Sequence, residues 1–465
     1  MRRRRFLLAA PAIVLASALT RHARGFDHEK WSDNHGHVTP RFAPGHVLLQ
    51  LQPDATLTQL QTILRRHQAM LSPRFRTVAP RTFLALSPPD QEGALAEELE
   101  ASGFVTYTHP DHAAYQQFVP NDPNYILSSG SPSNQHAYAA FNYEAALDVF
   151  KMSDISSSLW PDLILFDLDT AGYPGTFSGG VFTPDTTAGL ADLSYRTGYH
   201  EPKGSADVSG TGGHPVLCAS LSATKTNNGS AVASIGGGGD FIPVILNHGA
   251  VDSSFQTAVA HLLDPANGLL RGLGGATAFP ITVGGGNPAT AGMIASWKAL
   301  FAAGFVNAGA VGDANSATCQ GGVADVPFPY GLGIGGVNGL GSSPYARVTA
   351  RSCYGPAITA GGSGCIVAGI GGEGANNNNL PVLLADGTVQ SSPVDTSGAS
   401  CEIGAMARWM KAGAPQNSPG RISALLADPA LGKALTGFTA GPATTMPDML
   451  NMILAAKATR PTMIR

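Results

Sequence analysis

The stretch LILFDLDTAG, residues 163–172, decides how the chain folds. Four apolar residues run without a polar break, Asp167 and Asp169 then flank Leu168, and small turn residues follow. An unbroken apolar run of this length fits a strand covered on both faces, as in a parallel sheet. In such sheets functional side chains gather at the carboxyl ends of the strands. Asp167 and Asp169 sit there, on one face, because side chains alternate with period two. Either one is equally well explained as a turn former or a helix cap.

Outward from this strand, apolar segments at 242–246, 277–283, 304–310 and 333–337 alternate with helical stretches and Gly-rich junctions. The alternation predicts an α/β fold with a doubly wound, mostly parallel sheet over residues 126–455. Upstream, 40–116 reads as a separate unit. Strands are expected at 46–51, 71–77, 81–86 and 104–109, with helices at 57–66 and 91–101. That order, βαββαβ, is a small ferredoxin-like α+β unit. Turn-rich VPNDPNY at 119–125 lies in a junction spanning 117–125, and 456–465 forms a tail.

The first residues read as an address. Arginines occupy 2–5, an apolar stretch covers 6–19, and Ala16-Ser17-Ala18 offers small residues for cleavage after Ala18. These are the parts of a secretory signal peptide over 1–18, and Arg-Arg-x-Phe-Leu at 3–7 has the twin-arginine order. Residues 19–39 then form a linker. A secreted or periplasmic protein is expected, with no transmembrane segment in the mature chain.

Of the 465 residues, 43% are hydrophobic and 13% charged. A large core is therefore affordable and wholesale disorder is excluded. Net charge is −4, and no basic run follows the N-terminus, so nucleic acid is not an expected partner. Five cysteines, Cys218, Cys319, Cys353, Cys365 and Cys401, leave at least one unpaired, and the absence of CxxC argues against a structural zinc site. No cofactor is expected. No acidic run has EF-hand spacing, and metal, calcium included, stays unassigned.

Two further clusters carry candidate chemistry. SGTGGHPVLCAS, residues 209–220, delivers His214 from a glycine-rich loop onto a helix start, where Pro215 is well tolerated. VDTSGASCEIGAMARWM, residues 394–410, places Ser400 near a helix start, where backbone N–H groups favour a developing oxyanion. A serine needs a base to take its proton, and the base needs a third group to fix its tautomer. Taken singly, His214 reads as a structural histidine and Ser400 as an N-cap. Asp, His and Ser in this chain order match one of the known orders of the catalytic triad.

With these blocks in place, residues 40–455 resemble the subtilisin-like serine proteases (subtilases). HVLLQLQPDATLTQLQTIL through VTYTHPDH resembles the family's inhibitory prodomain, and VPNDPNY its junction with the catalytic domain. LDTAG is similar to the family's Asp-Thr-Gly turn, and GTGGHPVLCAS to its histidine block. AGFVNAGAVGDANSA resembles the strand and loop of the oxyanion-hole Asn. YGLGIGGVNGLGSSPYARVTARSCYGP resembles a later strand and loop, and TSGASCEIGAMA the nucleophile block.

The resemblance implies Ser400 as nucleophile, His214 as general base and Asp169 as its orienter, with Asp167 the alternative. It implies Asp313 as the oxyanion-hole residue, with Asn315 the alternative if the loop is shifted. Residues 282–286 become a strand edge for an extended polypeptide substrate. The implied protein is a monomeric secreted endopeptidase made as a zymogen, its own prodomain the intramolecular inhibitor. The departures matter too. Asp313 replaces an amide donor, Gly404 replaces a proline, Cys401 follows Ser400, and Cys218 lies one helical turn after His214. They keep a second reading open, a catalytically degenerate homologue that binds peptides as a scaffold. Acid-acting sedolisin-like proteases share the fold, but the GGHP block argues against them. Cys218 and Cys401 are expected to be neighbouring free thiols.

Overall fold

In the computed structural model the chain forms two compact units, 1–116 and 117–465. The structure describes residues 30–458 apart from 33–37, 41, 73–80, 89–90, 113–119, 121, 126–134, 150–159, 169–171, 188, 212, 227, 248–250, 282–286, 320, 339–346, 348–351, 372–379, 393, 436 and 439–443.

The small unit contains β1 (Phe42–Leu51), α1 (Leu57–Arg66), β2 (Met70–Leu71), β3 (Thr82–Leu86), α2 (Glu92–Ala101) and β4 (Val105–His112). Its strands pair antiparallel in the order β2-β3-β1-β4, the split βαββαβ arrangement. Thr56 starts α1 with a reciprocal capping box to Gln59. Val47, Leu49 and Leu51 alternate inward on β1 to meet Leu60, Ile63 and Leu64 of α1 and Leu95 and Leu99 of α2. β2 is only two residues long, and the rest of the expected 71–77 strand falls mostly outside the described residues.

The large unit is built on nine strands. They are β5 (Asp162–Leu168), β6 (Tyr199–His200), β7 (Ile242–Leu246), β8 (Gly275–Phe279), β9 (Phe305–Ala310), β10 (Leu332–Val337), β11 (Cys365–Ile370), β12 (Gly432–Ala434) and β13 (Thr445–Pro447). The sheet order is β6-β7-β5-β8-β9-β10-β11-β13-β12, parallel except for the last pair.

The apolar run of β5 divides by parity. Leu163 and Leu165 enter the core that holds α3 (Gly213–Ser222) and α6 (Asp395–Gly413). Ile164 and Phe166 enter the opposite core, against Phe255 of α4 (Val251–Leu263) and Trp297 of α5 (Ala291–Ala302). Both faces are thus covered, as the unbroken apolar pattern requires. Phe166, Phe255, Phe279 and Trp297 pack edge-on or tilted, with ring centroids 4.4–6.1 Å apart.

One helix spans the sheet from edge to edge. At the far end of α6 the fully buried Arg408 donates to the Pro161 carbonyl and the Asp240 carbonyl, both at 2.9 Å, and pairs with the Asp240 carboxylate. Arg196 on Asp162 and Arg271 on Asp240 complete this ionic cluster at the amino ends of the strands. Burial pulls the Arg408 pKa down to about 10, yet Asp240 and Asp162 keep it charged. At the near end, the N–H groups of Val394 and Asp395 both donate to Gly371 O, at 2.9 and 2.7 Å, just past the carboxyl end of β11. The helix is therefore fixed at both edges. Close packing along it needs glycine: a Cβ on Gly404 would sit 3.0 Å from Thr277 O of β8.

Candidate active site at the carboxyl edge

Asp167 is the penultimate residue of β5, paired in register with Ile245 of β7. By parity it faces the α3 and α6 side. His214, second residue of α3, donates from Nδ1 to Asp167 Oδ2 at 3.0 Å, with Oδ1 at 3.2 Å. The carboxylate is buried while the imidazole side chain is 41% exposed, so one partner is fixed and the other open to solvent. Leu168 N donates to Asp167 Oδ1 at 2.8 Å and holds the carboxylate in place. Burial pulls the His214 pKa down, but the charge and hydrogen bond of Asp167 and the charge of Asp313 outweigh it. The imidazole ends above its ordinary value.

The carboxylate on His214 is therefore that of Asp167, the alternative left open by the sequence. Asp169, the preferred orienter there, lies outside the described residues. Parity could not separate the two. The pairing can, because β5 ends at Leu168, so Asp167 is the one held by the ladder.

Under the imidazole lies Cys218, its Sγ 3.8 Å from Nε2 and 3.9 Å from Nδ1. Burial, then the neighbouring Cys401 thiol, pushes the Cys218 pKa well up, so this sulfur stays protonated and a poor nucleophile. All five cysteines are free and buried. Asp167, His214 and Cys218 offer one oxygen, one nitrogen and one sulfur within 4.8 Å of one another, the one such group among the described residues. A soft divalent cation suits that donor set, but it would take the histidine away from acid–base work. We assign no ion.

The third element is the start of α6. Asp395 turns there in the left-handed region, φ +49°. Thr396, next in line, donates its N–H to Asp313 Oδ1 at 3.0 Å and its hydroxyl to the same oxygen at 2.7 Å. Asp313, expected to serve the oxyanion, does lie beside this helix start, but as an acceptor. An ionised carboxylate accepts and cannot supply the donor expected at that position. Asn315, the alternative, turns its Oδ1 to Arg347 Nη1 at 2.6 Å.

Ser400 stands elsewhere. It is fully buried, in the sixth position of α6 rather than at its start, and its hydroxyl donates to Ser397 O at 2.7 Å. No hydrogen bond joins it to His214 among the described residues. Next to it Glu402 is also fully buried, with Oε2 accepting from Ile370 N at 2.8 Å and burial holding its pKa well above the carboxylate range. The expected substrate edge at 282–286 lies outside the described residues.

Sequence reading gave no part to Thr396, whose contact with Asp313 the structure shows. Its signal was the run Asp395-Thr396-Ser397, three residues that favour helix starts.

No family model matches the chain, and no curated protein does. Solved structures do. A protease of Pseudoalteromonas arctica PAMC 21717 is 17% identical, with 73% of this chain and all of that one covered at a TM-score of 0.52. A cold adapted subtilisin-like serine proteinase is 15% identical over 62% of this chain and 88% of that one, at a TM-score of 0.45. The α/β fold of this chain is subtilisin-like. At these identities the likeness is one of fold.

Proposed function

We propose that this protein is an exported peptide-bond hydrolase of the serine-protease type, made as a precursor. The observation that carries the reading is the Asp167–His214 bond at the carboxyl edge of a subtilisin-like sheet, with the imidazole open to solvent. Asp167 fixes the Nδ1–H tautomer and leaves Nε2 free to take a proton from a hydroxyl and return it to a leaving amine. Signal-like residues 1–18 support export, and the split βαββαβ unit before residue 117 supports an intramolecular inhibitor removed on maturation. The substrate is an extended polypeptide.

A fluorophosphonate probe tests this, because it reacts only with an activated hydroxyl. Labelling that is lost in His214→Ala is expected, together with cleavage of unfolded casein. Absence of label between pH 4 and 9 in both precursor and trimmed chain would sink the reading.

A second reading, a peptide-binding scaffold without catalysis, is favoured by one observation. The N–H and hydroxyl at the start of α6 are already held by the Asp313 carboxylate. Saturable binding of an unfolded polypeptide with neither label nor cleavage would select it.

A further inference from the structure

We infer that the chain folds before it leaves the cytoplasm and crosses the membrane already folded, by the twin-arginine route, with all five thiols unbridged. The inference rests on the export reading above.

The address lies in the leader. Residues 3–7 read Arg-Arg-Arg-Phe-Leu, an arginine pair, one further residue and then Phe-Leu. A receptor reads such a signal, so the guanidinium pair is the message and not its charge alone. The general secretory route threads chains across unfolded, whereas the twin-arginine route carries them folded.

The thiols distinguish the two routes. They form two sets whose members are neighbours in the fold. Cys218 touches Cys401, and Cys319, Cys353 and Cys365 share a small core with Val311 and Ala324. None is more than 3% exposed, and all are free. A chain delivered unfolded into an oxidising compartment presents all five to oxidant before the fold can hide them, and the entropy of closing a loop rises only slowly with its length. Bridges between neighbours would then be the rule.

The folded state uses the thiols reduced. Cys319 Sγ–H donates to Gly355 O at 3.1 Å, an oxygen that also accepts from Cys365 N at 3.1 Å. A sulfur in a bridge has no hydrogen to donate. Burial pushes the Cys319 pKa up to about 12 and raises those of Cys218, Cys353 and Cys365. Once the chain is folded, these sulfurs offer almost no thiolate to begin an exchange. Folding inside the cell also requires that the hydrolase be silent there. On the precursor reading, the split βαββαβ unit before residue 117 meets that need.

The test expresses the full chain in a bacterium that has both routes. The exported protein is unfolded in iodoacetamide without reductant and weighed. Five alkylated thiols are expected, the same number as after reduction. Arg3→Lys combined with Arg4→Lys keeps the leader's charge, breaks the pair and leaves the folded units untouched. It should lower the exported fraction by about tenfold or more and leave protease-resistant chain inside the cell. Export of the lysine variant at the wild-type level, or a bridge in the exported wild type, overturns the inference and leaves an exported hydrolase standing. Wild-type chain retained inside with its leader intact overturns the export reading as well.

Discussion

The two helix starts at the carboxyl edge follow one plan and differ in what their carboxylate does. On α3 the second residue is His214, and Asp167 takes its Nδ1–H. On α6 the second residue is Thr396, and Asp313 takes both its N–H and its O–H. A carboxylate behind an imidazole makes a better base, because it stabilises the cation formed as the proton arrives. A carboxylate in front of a helix N-terminus does the opposite for catalysis. It stabilises the resting state and fills the place where negative charge must develop. One half of the site is thus poised, and the other is held closed by its own side chain.

The largest effect should come from the poised half. Asp167→Asn should lower the rate of probe labelling by roughly 10³–10⁴-fold, while Asp169→Asn should change it less than about threefold. A larger loss in the Asp169 variant would show that the bond to Asp167 is not the working one. The closed half should respond in the other direction. Asp313→Asn keeps an acceptor for Thr396 and adds an N–H donor, so turnover at pH 7 should rise ~100-fold, the usual worth of one oxyanion donor. No gain at pH 7 would mean that Asp313 does not block the site.

The pH profile sharpens the comparison further. His214 works as a base only when neutral, and its pKa is raised, so the acid limb of kcat/KM should have its midpoint above the ordinary ~6.5. By linkage, that same shift adds stability below the unfolded value and loses it as pH rises through the folded one. Asp313→Asn removes one of the charges that raise the pKa, so the limb should move to lower pH. A limb that stays put would place Asp313 too far from the imidazole to matter.

The smallest effect belongs to Glu402, whose burial marks how far residues 399–402 lie inside the core. Its pKa is raised, so it stabilises the fold as the neutral acid, and that contribution fades as pH climbs above ~4.5. Glu402→Gln should flatten the fall in urea-unfolding free energy between pH 5 and 8 by about 1 kcal/mol or more. An unchanged slope would mean that this stretch is wetter than the structure shows.

Much of the frame was legible because it is written in periodicity. Residues 242–246 form β7 at the bounds expected, and 163–168, 304–310 and 333–337 each differ from the observed strand by one residue. The expected 277–283 strand starts earlier, at Gly275, and ends at Phe279. Pro280 follows, and it removes the N–H that a continued ladder would use. His214 was legible because glycines before it and Pro215 after it mark a helix start. Ser400 misled because TSGAS reads as a loop leading into a helix, with Gly398 counting against helix in its middle. That glycine is inside α6 for a tertiary reason: a Cβ there would run into Val394 and Leu221 of α3. The ionic cluster around Arg408 left no local trace, since Arg196, Asp240, Arg271 and Arg408 converge only through the sheet.

Five sulfhydryls locked away from solvent make the protein its own stopwatch for breathing motions. Cys218 and Cys401 touch at the root of the two helix starts, whereas Cys319, Cys353 and Cys365 cluster apart around Val311 and Ala324. A thiol reagent such as dithionitrobenzoate can react with each pool only when its surroundings open. Its two rate constants in native buffer therefore time the opening of the two helix starts separately from that of the second thiol cluster. A substrate analogue seated at the edge should slow the first and leave the second unchanged.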